Sequence, residues 1–286
     1  MLLIRKLKMS DYIIAFVILI AVFLCLVPFL FILSQSLSSN RAIISQSVTV
    51  YPIDFNIEAY KVVFADDGML YSLFYSVVLT VGFVLLALIT TILAAYPLTK
   101  KRLRGRGFFL LLMLFTMYFS GGLIPDYLNV KNLHLLNTPW ALVLPGLVSV
   151  YYMIIMKSFF QSLPDSLEEA AHLDGCNDLQ ILLKIVLPLS KPALATMSLL
   201  YAVFRWNYFQ DALFYVTNEK YYTIQLKLYN VINISQDFVG ESAIVNLPSE
   251  ALKAAAIVFG TIPILLVYPW LQKYFVSGIM IGAVKG

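Results

Sequence analysis

The stretch YIIAFVILIAVFLCLVPFLFIL, residues 12–33, decides the fold class. It carries no charge and shows no alternation of apolar with polar positions. A helix needs about 20 such residues to cross roughly 30 Å of hydrocarbon. Backbone groups in lipid have no water to bond, so each span must pair its own amides and carbonyls as a helix. The run is too long for the apolar core of a secretory signal and has no small-residue cleavage site after it, so it reads as a retained span. Further apolar runs cover 69–98, 107–124, 138–156, 192–216 and 254–271, the fifth interrupted by Arg205 and Asp211. The prediction is an all-α integral membrane protein of about six transmembrane helices, forming one domain over residues 1–286. Strands of a membrane barrel would alternate apolar with polar residues, and these runs do not.

Composition agrees. Of 286 residues, 60% are hydrophobic and 13% charged, against roughly 25% charged in a soluble domain. Charge placement sets the orientation, because cytoplasmic loops collect Lys and Arg. One side carries Arg5, Lys6 and Lys8, then Lys100, Lys101, Arg102, Arg104 and Arg106, then Lys157, Lys184 and Lys191, then Lys273 and Lys285. The opposite side carries only Arg41, Lys61, Lys131, Lys220 and Lys227. Both termini are therefore expected in the cytoplasm of a multi-pass membrane protein. Cys25 and Cys176 are far apart and His134 and His172 are isolated. No metal, disulfide or redox spacing is present, and nothing in the pattern suggests nucleic acid.

The most informative cytoplasmic segment is residues 162–188, which begins SLPDSLEEAAHLDG and continues CNDLQILLKIVLP. Ser162 is placed to cap a helix and Pro164 to occupy its first turn. Asp165, Glu168 and Glu169 put negative charge near the positive end of the helix dipole. Gly175 can take the positive φ that ends a helix. Asn177 or Asp178 can cap a second helix, which Pro188 is expected to stop. A helical hairpin on the cytoplasmic face follows. Its residue types suit either docking into a groove of another protein or a plain amphipathic connection.

The spacing goes further. Glu169-Ala170-Ala171, three residues, Gly175, nine residues, Ile185, one residue and Leu187-Pro188 resembles the EAA signature of ABC importer permeases, complete in every position. Tyr51-Pro52, Ala95-Tyr96-Pro97-Leu98, Gly121-Gly122-Leu123-Ile124-Pro125, Trp206-Asn207 and the ending Gly282-Ala283-Val284-Lys285-Gly286 resemble carbohydrate-type members, in particular oligosaccharide permeases of the MetI-like superfamily. The resemblance implies a type I importer permease fold in which the hairpin is a coupling helix. Glu168, Glu169, Ala170, Ala171, Asp174, Gly175, Ile185, Leu187 and Pro188 would then serve contact with an ATPase subunit. The tail Val284, Lys285 and Gly286 would reach the ATPase interface. It also implies two ATPase subunits, a second homologous permease, and a lipid-anchored or periplasmic solute-binding protein outside the membrane. The chain has no Gly-x-x-x-x-Gly-Lys-Ser/Thr phosphate loop, so ATP and magnesium are expected on the partner, with no cofactor on this chain and no catalysis by it.

Arg205, Trp206, Asn207, Gln210 and Asp211 fall within the fifth run and form a candidate substrate pathway, since charges at membrane depth usually face a cavity. Two readings of Arg205 stand side by side. In one it snorkels to the outer interface; in the other it meets a carboxylate on an acidic sugar. The outer segment 217–249, with Tyr221, Tyr222, Tyr229, Asn230 and Asn233, serves either the binding protein or packing. A permease for a non-sugar solute shares the EAA signature. A self-sufficient secondary transporter would need coupling carboxylates within its spans, where only Asp211 qualifies.

Overall fold

The computed structural model describes residues 9–237 and 250–283, with side chains over 9–233 and 250–267. It is helical, with no strand among the described residues. In chain order the helices are α1 (Met9–Ser36), α2 (Asn40–Ile44), α3 (Glu58–Ala65), α4 (Asp67–Ala95), α5 (Arg106–Tyr118), α6 (Leu123–Asn132), α7 (Pro139–Val143), α8 (Val150–Phe160), α9 (Asp165–Leu173), α10 (Asp178–Ile181), α11 (Leu187–Leu189), α12 (Lys191–Asn207), α13 (Gln210–Tyr215), α14 (Ile224–Asp237) and α15 (Glu250–Ala283). Among the described residues, three segments are long and apolar enough to span a bilayer alone: Met9–Ser36, Asp67–Thr99 and Glu250–Val267. Three bent pairs raise the number to 6 if each pair is one span.

The bends divide spans that look continuous in the sequence, and each has a local cause. α5 and α6 meet at 113°, where Phe119 is extended and Gly122 takes φ +89°. Pro139–Gly146 and Val150–Phe160 meet at 54°. There Pro145 sits in a tight turn, and the Ser149 hydroxyl starts α8 by accepting from the Tyr152 amide at 3.3 Å. Asp178–Leu189 and Lys191–Asn207 meet at 81° across Ser190, whose hydroxyl turns back to the Val186 carbonyl at 2.6 Å. A further break follows, where α12 stops at Asn207 and the chain restarts at Gln210 with Tyr208 extended between them.

The chain divides into two compact units, Met1–Leu70 with Leu228–Ile262, and Tyr71–Lys227 with Pro263–Gly286. In the first, α1 buries two serines near its C-terminal end and exposes most of its apolar residues. Ser34 and Ser36 are its buried positions. Ser34 donates to the Val50 carbonyl at 2.5 Å and Ser36 shares a 2.7 Å hydrogen bond with the Tyr60 hydroxyl. A surface that is apolar outside and polar inside suits lipid as solvent. Phe64 and Phe259 meet edge to face at 5.3 Å.

Two cores lie among the described residues of the second unit. One gathers Leu79, Phe83, Leu142 and Tyr201, and the Tyr201 hydroxyl pairs with Thr91 at 2.6 Å. The other gathers Ala95, Tyr96, Met153, Met156, Phe160, Ala171, Ile181, Leu182 and Val186, and lies under the 162–188 segment.

Candidate functional site

The hairpin is built by local chemistry. α9 begins at Asp165 with Pro164 as its cap residue. Ser162 does not cap it: its hydroxyl turns back to the Phe159 carbonyl at 2.7 Å. At the other end Gly175 takes φ +83°. Its amide donates to the His172 carbonyl at 3.0 Å, and the Cys176 amide to Ala171 at 3.0 Å. These bonds satisfy carbonyls that the helix end would leave open. No atom lies within 4 Å of a Cβ placed on Gly175, so the glycine answers to the backbone alone. Asn177 then caps α10 in a reciprocal box with Gln180, at 2.9 and 3.0 Å.

Pro188 does not stop the second helix. Residues Leu182–Val186 widen into a π-helical turn, and the chain continues through Pro188 to Leu189 before turning by 81° into α12. A proline in a helix lacks its amide and crowds the carbonyl four residues back; the wider turn gives that carbonyl room.

The two faces of α9 differ. Ala171 is buried in the core beneath. Glu169, Ala170, Asp174 and Gly175 are exposed, and Leu173, which the signature does not include, is 90% exposed. Leu179 and Leu183 in the second half of the hairpin are exposed as well. Ile185 and Leu187 pack on the core from beneath, so they brace the hairpin, while Pro188 is exposed.

Glu168 turns the other way. It pairs with Lys100, whose ammonium also lies 4.1 Å from the Tyr96 ring centre. Arg102 pairs with Asp178, Lys101 approaches Asp165 at 3.6 Å, and His172 lies 3.7 Å from Asp178. The basic loop that marks orientation in the sequence thus also holds the hairpin. The signal for this was charge complementarity between two loops more than sixty residues apart, which spacing within one segment cannot display.

The five candidate pathway residues do not form one surface. Arg205 is 3% exposed and its guanidinium forks onto Asp211, at 2.5 and 3.0 Å, while also donating to the carbonyls of Leu142 at 2.6 Å and Tyr208 at 2.8 Å. Neither snorkelling nor an open fork waiting for a sugar carboxylate describes it. The helix break makes the pair. In one continuous helix, positions six apart would sit about 240° round the axis from each other. Ending α12 at Asn207 brings Asp211 back onto Arg205.

These two residues line a cavity of about 580 Å³ together with Asp126 and Asn129 of α6, Pro145, Gly146, Phe204, Tyr208 and Tyr215. Trp206 lines a different, apolar cavity of about 190 Å³ with Val77, Leu199, Val203 and Pro263. Its buried indole nitrogen has no partner among the described residues. Asn207 bonds back to the Val203 carbonyl at 2.8 Å and Gln210 is exposed.

Tyr221 and Tyr222 of the outer segment pack against the first core of their unit. Asn137, at φ +58°, accepts from the Thr217 and Asn218 amides at 2.7 and 3.0 Å. Asn233 bonds back to the Tyr229 carbonyl at 2.9 Å. Residues 238–249 and the tail Val284, Lys285 and Gly286 lie outside the described residues. No group of His, Cys, Asp and Glu among the described residues could hold a metal ion.

Comparison with known proteins adds the following. Residues 106–281 match the family described as "Binding-protein-dependent transport system inner membrane component". The chain is 40% identical over 285 residues to the polygalacturonan/rhamnogalacturonan transport system permease protein YtcP of Bacillus subtilis (strain 168), covering 98% of this chain and 100% of the relative. It is 42% identical over 264 residues to Protein LplC of the same organism, covering 91% and 90%. Among solved structures, it matches a chain of a bacterial ABC transporter involved in the import of the acidic polysaccharide alginate, with TM-score 0.82, 36% identity, and coverage of 95% of this chain and 99% of that one.

Proposed function

We propose, from the premise that this chain belongs to the binding-protein-dependent transport system inner membrane components, that it forms half of a membrane pathway for an oligosaccharide. It is the permease subunit of an ATP-driven importer. Its partners in this reading are two ATPase subunits that bind ATP and magnesium, a second homologous permease and an extracellular solute-binding protein. Both termini lie in the cytoplasm, and Val284, Lys285 and Gly286 reach the ATPase pair. Relatives named for saccharide transport support the substrate class, and they include both acidic polymers, polygalacturonan and alginate, and the uncharged sugars melibiose, raffinose and stachyose.

The observation that carries the coupling role is the two-faced hairpin. Glu169, Ala170 and Leu173 look outward from a helix whose inner side is anchored in a core. A leucine left 90% exposed beside a carboxylate is a surface awaiting a groove, because covering it stabilises by about 1.5–3 kcal/mol. When ATP closes the ATPase pair, the hairpin moves as a rigid body and its core carries the motion to α8 and α12. The spans tilt to open the pathway outward, sugar enters from the binding protein, and hydrolysis resets the cycle.

The test uses Glu169→Lys and Leu173→Asp in the reconstituted complex. Both positions are exposed, so the permease itself should keep its stability. Uptake should fall with docking, which weakens about tenfold for about 1.4 kcal/mol lost at that surface. Undiminished uptake by both variants, in complexes that still contain the ATPase, would overturn the coupling role.

A further inference from the structure

The cavity beside Arg205 has a charge that bears on what it binds. We propose that it is a carbohydrate subsite for an uncharged sugar ring and that it discriminates against a ring bearing a carboxylate. The proposal rests on the oligosaccharide-importer reading and deepens it.

The size, about 580 Å³, falls in the roughly 300–1,000 Å³ range of small-molecule sites. The lining has the two ingredients a pyranose needs. Phe204 and Tyr208 stack at 5.2 Å with an interplanar angle of 19°, and each is 38% exposed. They offer apolar faces to the C–H side of a sugar ring. Asp126 and Asn129, one turn apart on α6, are exposed side chains on the same cavity wall. A carboxylate accepts hydroxyl hydrogens and a carboxamide both donates and accepts, so the pair can read the hydroxyl rim of the ring.

The charge decides the rest. Arg205 is the only cation among the lining residues, and its fork is taken by Asp211 and two carbonyls. The pair is neutral and nearly fully buried. Asp126 adds one further negative charge to the lining. A uronate carboxylate entering this cavity meets like charge with no free cation to offset it. Two like charges some 6–8 Å apart near a protein surface repel enough to weaken binding by about tenfold or more. An uncharged ring meets no such penalty and gains the hydroxyl bonds.

The experiment measures binding to the purified permease–ATPase complex in detergent by saturation-transfer NMR. The probes are trigalacturonate and its carboxyl-reduced counterpart, which share ring, linkage and length and differ only in carboxylate against hydroxymethyl. The reduced trisaccharide should bind at least about tenfold more tightly. Asp126→Lys should reverse that preference, Asp126→Asn should narrow it, and Tyr208→Ala should weaken both probes. Asp126 is exposed, so its variants should remain in the complex. Equal or tighter binding of trigalacturonate overturns the proposal. So does a preference unmoved by Asp126→Lys, or the absence of binding by either probe. Binding-protein-stimulated ATPase activity of the same preparation separates the two levels. If it persists while these results fail, the importer reading stands and the subsite alone is lost.

Discussion

At the scale of single residues, the buried Arg205–Asp211 pair governs the C-terminal end of α12. Two charges taken out of water depend on each other. Removing one leaves the other uncompensated, at a cost of about 3–5 kcal/mol, while replacing both with apolar residues of like volume is often close to neutral. Arg205→Ala should therefore lower the melting temperature of the detergent-purified permease far more than the double replacement Arg205→Met with Asp211→Leu. Equal losses would mean that the arginine matters through packing and not through its charge. The sequence marked both residues as unusual at membrane depth, but it could not show that they face each other, because that depends on where α12 stops. Gly175 was legible as a helix terminator and Asn177 as one of two candidate caps beside Asp178, since a positive φ and a cap are decided by neighbours within four residues. Ser162 was not. A serine hydroxyl can accept from an amide ahead of it or donate to a carbonyl behind it, and here it donates to Phe159. Leu173 escaped notice for a different reason: an apolar residue in a helix reads as core until the structure shows which way it points.

At the scale of elements, the 100–106 loop and the hairpin form one piece through Lys100–Glu168 and Arg102–Asp178. The second pair is more than half exposed on both sides and the Lys101–Asp165 approach more so, so water screens them and they add little. Lys100 and Glu168 are 15% and 29% exposed, and the Tyr96 ring shields the ammonium on one side. That pair should be the one that fixes the hairpin to the end of α4. Lys100→Glu sets two carboxylates together and should reduce uptake per ATP several-fold, whereas Lys100→Glu with Glu168→Lys should recover most of it. Failure of the double swap to recover would assign Lys100 some role other than this pair. The hairpin itself was readable because its helix signals are local. The broken spans were not, because hydropathy is blind to a bend: an apolar run such as 138–156 keeps its composition through the turn at Pro145 and Gly146. Pro188 misled in the opposite direction, since a π-helical turn ahead of it let the helix continue.

At the scale of the whole molecule, the two cysteines report the orientation without any engineering. Cys25 is exposed in the middle of α1, a helix whose apolar surface is uncovered by protein. Cys176 is half-buried in the hairpin turn between α9 and α10. A thiol reacts as its thiolate, which hydrocarbon disfavours and water permits. With cytoplasmic termini and an even number of spans, a charged, membrane-impermeant maleimide should label Cys176 in inside-out vesicles and spare it in right-side-out ones. Cys25 should resist that reagent in both and react only with an apolar one. Occupation of the hairpin by the ATPase should slow labelling of Cys176, because the thiol lies two residues beyond Asp174 on the outward turn. Labelling of Cys176 from the extracellular side would reverse the orientation drawn from the Lys and Arg loops and, with it, detach the hairpin from any cytoplasmic ATPase. Labelling from the cytoplasmic side that the ATPase does not slow would keep the orientation and place the docking surface elsewhere on the same face.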